Sequence, residues 1–399
     1  MPVSRQAAVQ ASVGVSESFD TVEAAAEAAD RARAGLDQPC DLAVVFASGQ
    51  HLGMAKWLLS EVHERLEPRA LIGCGAGGTV AAGRELEDTP GIVVWGASLP
   101  GAEIETMHVT AERDADGFRL LGLPRSLAGA EDAEPGTDES VLALCDPFSF
   151  PAEELLAALQ RARPHVPVLG GLASAAFAGG AMLMQDGDVH TEGAVGVRLT
   201  GAQVLPCVSQ GAGPVGPEMT ITSAEANLIG ELAGKPAIER LGEVIASLPK
   251  RERELAASGM LIGLVIDENR PEYERGDFLV RPIVGADRES GAIAIGEPVR
   301  VGQTVRLHVR DAASADRDLR EALRLQAEAL GSDGAAGALL FTCNGRGSHM
   351  FEVPDHDAAA VEDSLGVPTA GFFCAGEIGP VGGRNFLHGF TATMAVFPA

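Results

Sequence analysis

Two glycine-flanked polar segments near the carboxyl terminus carry the side chains best suited to bind a ligand. The first, C-N-G-R-G, supplies Cys343, Asn344 and Arg346 directly after an apolar run, and the second, C-A-G-E-I-G, supplies Glu377. A guanidinium can bind a carboxylate through two parallel hydrogen bonds, and a carboxylate can accept an ammonium group. Arg346 and Glu377 together therefore predict a site for a small zwitterionic or carboxylate-bearing molecule.

The site requires two neighbouring strands whose ends meet. Side chains that follow such strands gather at one sheet edge, where ligands of α/β proteins commonly bind. Phe372, in the strand before the second segment, is close enough to form an apolar wall of the pocket, although it also suits the core. An alternative is that Arg346 and Glu377 pair only with each other and hold the two loops together.

Cys343 and Cys374 suggest a different class of function, an enzyme that depends on cysteine or arginine. A nearby arginine stabilises a thiolate, and His349 or His388 would supply a base. A nucleophilic Cys343 would then have a lowered pKa and would alkylate fast at neutral pH. Cysteine on a strand is more often a compact apolar residue of the core, so we rank the enzyme second.

No metal or cofactor is expected. The polar residues of one loop, His349, Glu352, Asp355, His356 and Asp357, lack the spacing of a known metal cage and suit a solvated acidic loop better.

A glycine-rich run at residues 73–78 matches G-x-G-x-x-G, but the sequence after it is a poor helix. A dinucleotide site needs a helix there, so we interpret the run as a structural turn.

Composition limits the partners. The chain has 30 Lys plus Arg against 56 Asp plus Glu, a net charge of −26, which disfavours nucleic acid and anionic membranes. An acidic scaffold that docks a signalling protein is a third possible function. Six scattered cysteines suit reduced thiols, and the amino terminus lacks an apolar signal core, so we expect a cytoplasmic location.

The sequence contains an internal repeat that indicates its secondary structure. Each copy has the order strand, helix, strand ending in glycine, polar loop and strand. This pattern predicts an α/β fold of two modules with mixed β-sheets, built from repeated strand-helix-strand units. The three copies comprise residues 44–48, 70–78 and 92–99; 141–148, 167–174 and 193–199; and 338–347, 368–379 and 390–397.

Local signals add further elements. A strand and a helix ending at Gly35 precede the first copy, and Asp186-Gly187-Asp188 predicts a tight hairpin. A helix over residues 52–66 should carry Trp57, Leu58, Val62 and Leu66 on one face. The glycine- and proline-rich residues 211–217 suggest a linker.

Four further strands are expected, at residues 261–266, 278–284, 292–295 and 304–309. Two further helices are expected, one starting near residue 236 and one over residues 316–330.

The runs A-L-L-F-T-C-N-G-R-G, V-P-T-A-G-F-F-C-A-G-E-I-G-P and L-H-G-F-T-A-T-M resemble the carboxyl-terminal signature of the FIST sensory proteins. A-L-I-G-C-G-A-G-G and G-K-P-A-I-E-R-L are similar to that family's amino-terminal module. The resemblance implies an intracellular input domain for small ligands such as amino acids, with any signal passing to a separate partner protein. In the implied organisation, residues 1–40 form a strand and a helix that pack on the first module. Residues 41–217 form a FIST N-like module, residues 218–235 a boundary segment and residues 236–399 a FIST C-like module.

Overall fold

The computed structural model describes residues 8–114, 117–129, 138–177, 180–271, 273 and 276–399. The helices are α1 (Thr21–Ala34), α2 (Ala55–Leu66), α3 (Arg125–Ala128), α4 (Ala152–Ala162), α5 (Ala237–Ser247), α6 (Lys250–Ser258), α7 (Ala312–Leu330) and α8 (His356–Leu365). Short 3-10 helices occupy Gly49–Met54 and Gly347–His349.

The strands are short and are distributed along most of the chain. They are β1 (Gln10–Ser16), β2 (Leu42–Ser48), β3 (Ala70–Ala76), β4 (Thr79–Ala81), β5 (Arg84–Leu86), β6 (Ile92–Ser98), β7 (Glu103–Asp114), β8 (Gly117–Leu121), β9 (Glu139–Cys145), β10 (Val168–Leu172), β11 (Ala176–Phe177), β12 (Gly180–Ala181), β13 (Leu183–Gln185), β14 (Asp188–His190), β15 (Ala194–Thr200), β16 (Leu205–Ser209), β17 (Ala212–Glu225), β18 (Leu228–Leu232), β19 (Lys235–Pro236), β20 (Met260–Val265), β21 (Phe278–Ala286), β22 (Ile293–Ile295), β23 (Thr304–Arg310), β24 (Ala335–Cys343), β25 (Thr369–Cys374), β26 (Glu377–Val381), β27 (Arg384–His388) and β28 (Ala392–Pro398).

The chain divides into two compact units. Unit 1 comprises Met1–Val208 and Arg320–Ala399, and unit 2 comprises Ser209–Leu319. Both segments of the predicted ligand site belong to unit 1.

Unit 1 contains three mixed sheets, which confirms the predicted α/β class. Their strand orders are β1-β6-β2-β3-β13-β14, then β8-β7-β15-β9-β10-β26-β27, then β16-β28-β24-β25-β4-β5. In each sheet two parallel strands are joined by a helix, β2 to β3 by α2, β9 to β10 by α4 and β24 to β25 by α8. An antiparallel strand, β6, β15 or β28, flanks each parallel pair. The internal repeat itself stays a prediction.

Each of these sheets also contains a hairpin from elsewhere in the chain. The β4–β5 hairpin, which follows β3, pairs with β25 of the third sheet. The β13–β14 hairpin pairs with β3, and the β26–β27 hairpin pairs with β10. The three mixed sheets are therefore linked by these hairpins, β4–β5, β13–β14 and β26–β27, which we call the exchanged hairpins.

A central apolar cluster receives side chains from all three sheets. The rings of Phe46 and Phe372 lie 4.9 Å apart, and those of Trp95 and Phe397 lie 5.0 Å apart. Both pairs join the first sheet to the third. A second cluster packs α1 and α2 against the first sheet, and another packs α3 and α4 against the second.

Several local predictions are confirmed. Asp20 caps α1 by accepting the Glu23 N–H at 2.9 Å, and the helix ends at Gly35. The Asp186 turn joins β13 to β14, with Asp186 at φ +50°. A strand, β4, follows the glycine-rich run at residues 73–78, so the helix that a nucleotide site requires there is replaced by a turn and a strand.

Two predictions are wrong. Trp57 is 63% exposed, while Leu58 and Val62 of the same helix are buried, because the buried face of α2 is narrower than the apolar pattern suggested. Residues 212–217 are not a loop but the first half of β17 in unit 2, paired with β23. Their glycines and prolines lie around a bulge between Val215 and Glu218, where strands accept such residues.

Unit 2 contains one antiparallel sheet, ordered β17-β23-β20-β21-β22-β18-β19, in which β17 also pairs with β18. The four strands expected between residues 261 and 309 are all present, and α5 begins after Pro236 as predicted. None of the helices in the described part of the chain is long and apolar enough to cross a membrane.

Candidate functional site

The predicted site lies at one edge of the third sheet. Strands β24 and β25 are parallel, and their last residues, Cys343 and Cys374, are register partners. The loops that follow these strands therefore begin side by side, and β26 starts with Glu377, three residues after Cys374. This is the sheet edge that the sequence predicted for both segments.

Arg346 is fully buried, and its partner is Asp357. Nε donates to Oδ2 of Asp357 at 2.6 Å, and Nη2 donates to Oδ1 at 2.8 Å, which is a bidentate pair. The Phe351 ring centroid lies 5.2 Å from Cζ of Arg346. The guanidinium fork that was expected to receive a ligand carboxylate therefore already holds a carboxylate of the protein.

Asp357 is surrounded by donors. It also accepts the Thr342 hydroxyl at 2.6 Å and Nδ1 of His356 at 2.9 Å. Burial opposes ionisation, but the charge of Arg346 and these hydrogen bonds hold the pKa of Asp357 well below its usual range. The interpretation of this loop as a solvated acidic segment is wrong for Asp357, which is fully buried at the start of α8.

Glu377 is also fully buried, and its environment keeps it protonated. Oε2 accepts the Thr391 N–H at 3.1 Å and the Thr391 hydroxyl at 2.8 Å. Burial raises the pKa of Glu377 to about 8, against the opposing effects of Thr391, the Cys343 thiol and the charge of Arg346. No nitrogen or oxygen donor among the described residues reaches Oε1. Oε2 of Glu377 is therefore fixed, while Oε1 is buried beside the Cys343 thiol without a nitrogen or oxygen donor among the described residues.

Cys343 lies beside Glu377 and is only 7% exposed. Burial and the neighbouring carboxyl of Glu377 raise the pKa of Cys343 to about 12. A nucleophilic cysteine needs the opposite shift. Of the two proposed bases, His349 has a side chain that is 76% exposed, and Nε2 of His388 lies 3.0 Å from the Gly379 carbonyl oxygen. The arrangement therefore gives no support to the enzyme hypothesis.

Phe390 lies beside Cys343 and Gly345. It has φ +65°, a backbone region that costs a bulky residue energy, and it directly precedes Thr391. A Cβ placed on Gly345 would be 2.7 Å from the Phe390 ring, so only glycine leaves room for the ring there. The Cys343 thiol also hydrogen-bonds the Phe390 backbone.

The other two predicted residues lie apart from this centre. Asn344 is exposed on the loop, and its N–H donates to the Cys374 carbonyl at 2.9 Å. Phe372 points into the central core, where its ring contacts Phe46 and Phe341. We use the name buried-carboxyl cluster for Cys343, Arg346, Asp357, Glu377 and Thr391.

Sequence reasoning missed the residues that hold this cluster from outside its own segment. Glu85 of the β4–β5 hairpin accepts the N–H groups of Asp357 and Ala358 at 2.8 and 3.0 Å. Glu87 accepts the Ser348 N–H and hydroxyl, both at 2.8 Å. The only sequence signal was that both glutamates follow the glycine-rich run, and this says nothing about their partners.

Among the residues that the structure describes, no group of three or more histidine, cysteine, aspartate or glutamate side chains has the arrangement of a metal site. Within the loop considered for a metal, Asp357 is committed to Arg346 and His356.

Comparison with known proteins identifies the two modules. Residues 41–235 match the FIST N domain, and residues 237–380 match the FIST C domain. An uncharacterized protein of Mycobacterium tuberculosis is 47% identical over 390 residues, which cover 96% of this chain and 98% of the relative. An uncharacterized protein of Mycobacterium bovis is 45% identical over 388 residues, with coverage of 96% and 98%. The chain therefore belongs to the FIST family of sensory domains.

Proposed function

We propose that this protein is a small-molecule sensor whose ligand binds at the buried-carboxyl cluster and whose signal passes to a separate protein. The observation that carries the proposal is Glu377, a fully buried carboxyl whose Oε1 has no nitrogen or oxygen donor among the described residues. Buried polar atoms are nearly always hydrogen-bonded, and leaving one unpaired costs about 1–3 kcal/mol. A ligand ammonium that displaces the Glu377 proton would donate to Oε1 and pair this oxygen.

The ligand that fits best carries an amino group. An ammonium group beside Glu377 would form a charged hydrogen bond with the ionised carboxylate. The charge of Arg346 already acts on Glu377, so a carboxylate on the same ligand would be stabilised nearby. Because Asp357 occupies the Arg346 fork, this stabilisation is electrostatic and does not require the bidentate contact expected from the sequence. Amino acids and related metabolites combine both groups.

The state of the cysteines supports a reducing compartment for this function. All six are free thiols, buried in the structure. Proteins of oxidising compartments commonly pair their cysteines, so we include a cytoplasmic location in the proposal.

A thermal-shift screen tests the proposal. The panel contains amino acids, the corresponding amines without a carboxylate and the corresponding acids without an amino group. A ligand present at 100 times its dissociation constant stabilises the native state by about 2.7 kcal/mol, which is easily detected. We expect amino acids to be the strongest binders and Glu377→Gln to abolish their effect. Equal stabilisation of the variant and the wild-type protein would refute the site.

The pH dependence of binding provides an independent test. An ammonium ligand requires the ionised form of Glu377, whose pKa is about 8 in the free protein. Affinity should therefore rise from pH 6 to pH 8 and level off above this range, with release of a proton on binding. Titration calorimetry in buffers of different ionisation enthalpy measures this release. An affinity that falls over the same range would contradict the assignment of Glu377.

A further inference from the structure

A hollow opens on unit 1, and none of its lining residues belongs to the buried-carboxyl cluster. It has a volume of about 460 Å³ and lies between β8, α3 and α4. Its apolar lining includes Phe118, Leu120, Leu123 and Leu127. This volume is within the range of small-molecule sites, which are mostly apolar with a few polar groups.

The hollow also has one cation and one anion. Glu154 lies in the first turn of α4 and Arg161 in the last, and both line the hollow. They are seven residues apart, or about 10 Å along the helix axis, which is too far for an ion pair. Arg161 makes no hydrogen bond or ion pair with any residue in the described part of the chain. The mouth of an apolar hollow thus holds an uncompensated guanidinium.

The lining is more exposed than a structural core would be. Phe118 is 44% exposed, whereas Leu127 at the base is fully buried. Concave sites lined by apolar side chains with a few polar groups are the usual form of small-molecule sites. In a chain of net charge −26, a local cation is required for an anion to be held at the surface.

We infer that this hollow binds a small amphipathic carboxylate. The carboxylate accepts hydrogen bonds from Arg161, and the hydrocarbon body lies against Phe118, Leu120 and Leu127. Glu154 repels the charged end, so the ligand has one favoured orientation. This inference is independent of the proposed function, because it shares no residue with the buried-carboxyl cluster.

The probes are octanoate, octanol and octylamine, which share a chain and differ in charge. Titration calorimetry should show saturable binding of octanoate to the wild-type protein, with weaker binding of octanol and the weakest binding of octylamine. Arg161→Gln should weaken octanoate at least tenfold and leave octanol unchanged, since a charged hydrogen bond is lost. Arg161→Lys should recover part of the affinity.

Matched variants complete the test. Ala158→Phe fills the hollow from α4 and should abolish the binding of octanoate and octanol. Arg31→Gln, in the last turn of α1, changes an exposed arginine in the equivalent helix position and should have no effect. Glu377→Gln should also leave octanoate affinity unchanged, which separates this site from the proposed sensor site. Absence of saturable octanoate binding, or equal binding of octanoate and octylamine, would overturn the inference.

Discussion

At the scale of single residues, the cluster places two carboxyl groups in opposite protonation states within one buried region. Asp357 stays ionised because Arg346 pairs with it through Nε and Nη2. Glu377 is held by the neutral donors of Thr391, so burial dominates and favours its protonated form. Pairs of titratable groups with opposite shifts are typical of functional sites. This contrast makes Glu377 the residue whose ionisation a ligand can change.

The first prediction concerns Glu377 and protein stability. Its folded pKa of about 8 exceeds the ordinary value of 4.5, so between these pH values the folded state binds a proton that the unfolded state does not. The free energy of unfolding therefore falls as pH rises through this window. Glu377→Gln removes this penalty. Relative to the wild-type protein, the variant should gain stability progressively from pH 5 to pH 8, by a few kcal/mol at the upper end, at about 1.4 kcal/mol per pKa unit.

Urea denaturation at each pH measures this difference. Glu64→Gln, at an exposed position of α2, is the matched control and should follow the wild-type curve. A constant difference between Glu377→Gln and the wild-type protein across the range would show that Glu377 is already ionised in the folded state.

The second prediction tests whether the Phe390 ring limits access to the cluster. Phe390→Gly removes the ring and also suits the backbone at φ +65°, so the fold should persist. Cys343 lies beside Phe390 and Glu377, so its alkylation rate reports access to Glu377 without knowledge of the ligand. We expect iodoacetamide to label Cys343 at least tenfold faster in the variant. Phe148→Ala, which removes a ring that is 69% exposed, is the control.

Peptide mass spectrometry assigns the labelled thiol. Cys40 should react equally slowly in both variants, since burial raises its pKa to about 12. Unchanged labelling of Cys343 in Phe390→Gly would mean that the ring does not limit access.

At the scale of elements, the first N–H groups of α8 donate to a side chain from another part of the chain. These groups need partners, and Glu85 of the β4–β5 hairpin accepts two of them. Asp355 in turn accepts the Glu85 N–H at 2.6 Å. Burial and the negative charge of Asp357 raise the pKa of Glu85 to about 7. The ionised form of Glu85 is therefore unfavourable in the folded protein, although its oxygen is the acceptor for two N–H groups of α8.

The third prediction follows from this separation of charge and hydrogen bonding. Glu85→Ala removes the acceptor and should destabilise the protein by about 1–2 kcal/mol at pH 8, the typical cost of a lost helix cap. Glu85→Gln keeps an acceptor and removes the charge, so it should cost less than Glu85→Ala. Thermal unfolding measures the loss of stability in both Glu85 variants. Asp363→Ala, at an exposed position of the same helix, is the control. Equal loss in both Glu85 variants would assign the effect to the charge.

At the scale of the whole molecule, the exchanged hairpins link the three sheets of unit 1. Residues 79–81 complete the third sheet, and residues 183–185 extend the first. Residues 377–378 pair with β10 of the second sheet. No one of these sheets is assembled from a continuous piece of chain. Unit 1 should therefore unfold as one cooperative body.

The fourth prediction tests this cooperativity by amide hydrogen exchange. The slowest amides of β2, β9 and β24 should exchange with the same free energy. Val80→Ala, in the buried β4 strand, should lower that value by on the order of 2 kcal/mol in all three sheets. A loss confined to the third sheet would show that the exchanged hairpins do not couple the sheets.

The sequence by itself determined the elements and the location of the candidate site. Buried strands appear as short apolar runs, and Gly35 and the Asp186 turn have local causes that a sequence shows directly. The glycine-flanked ends of β24 and β25 placed Cys343 and Glu377 at one sheet edge, because neighbouring parallel strands end together. The family signature was visible in the same residues.

Only the tertiary structure decided which side chains are partners. Asp357 was interpreted as solvated because its loop is polar. In the structure it is the anion that pairs with the buried charge of Arg346. Glu85 reaches α8 only because its hairpin pairs with β25, far along the chain. Local periodicity specifies that a strand forms and which face it buries, but strand pairing depends on packing across the whole unit. The burial of Glu377, and with it the raised pKa that defines the proposed site, follows from that packing.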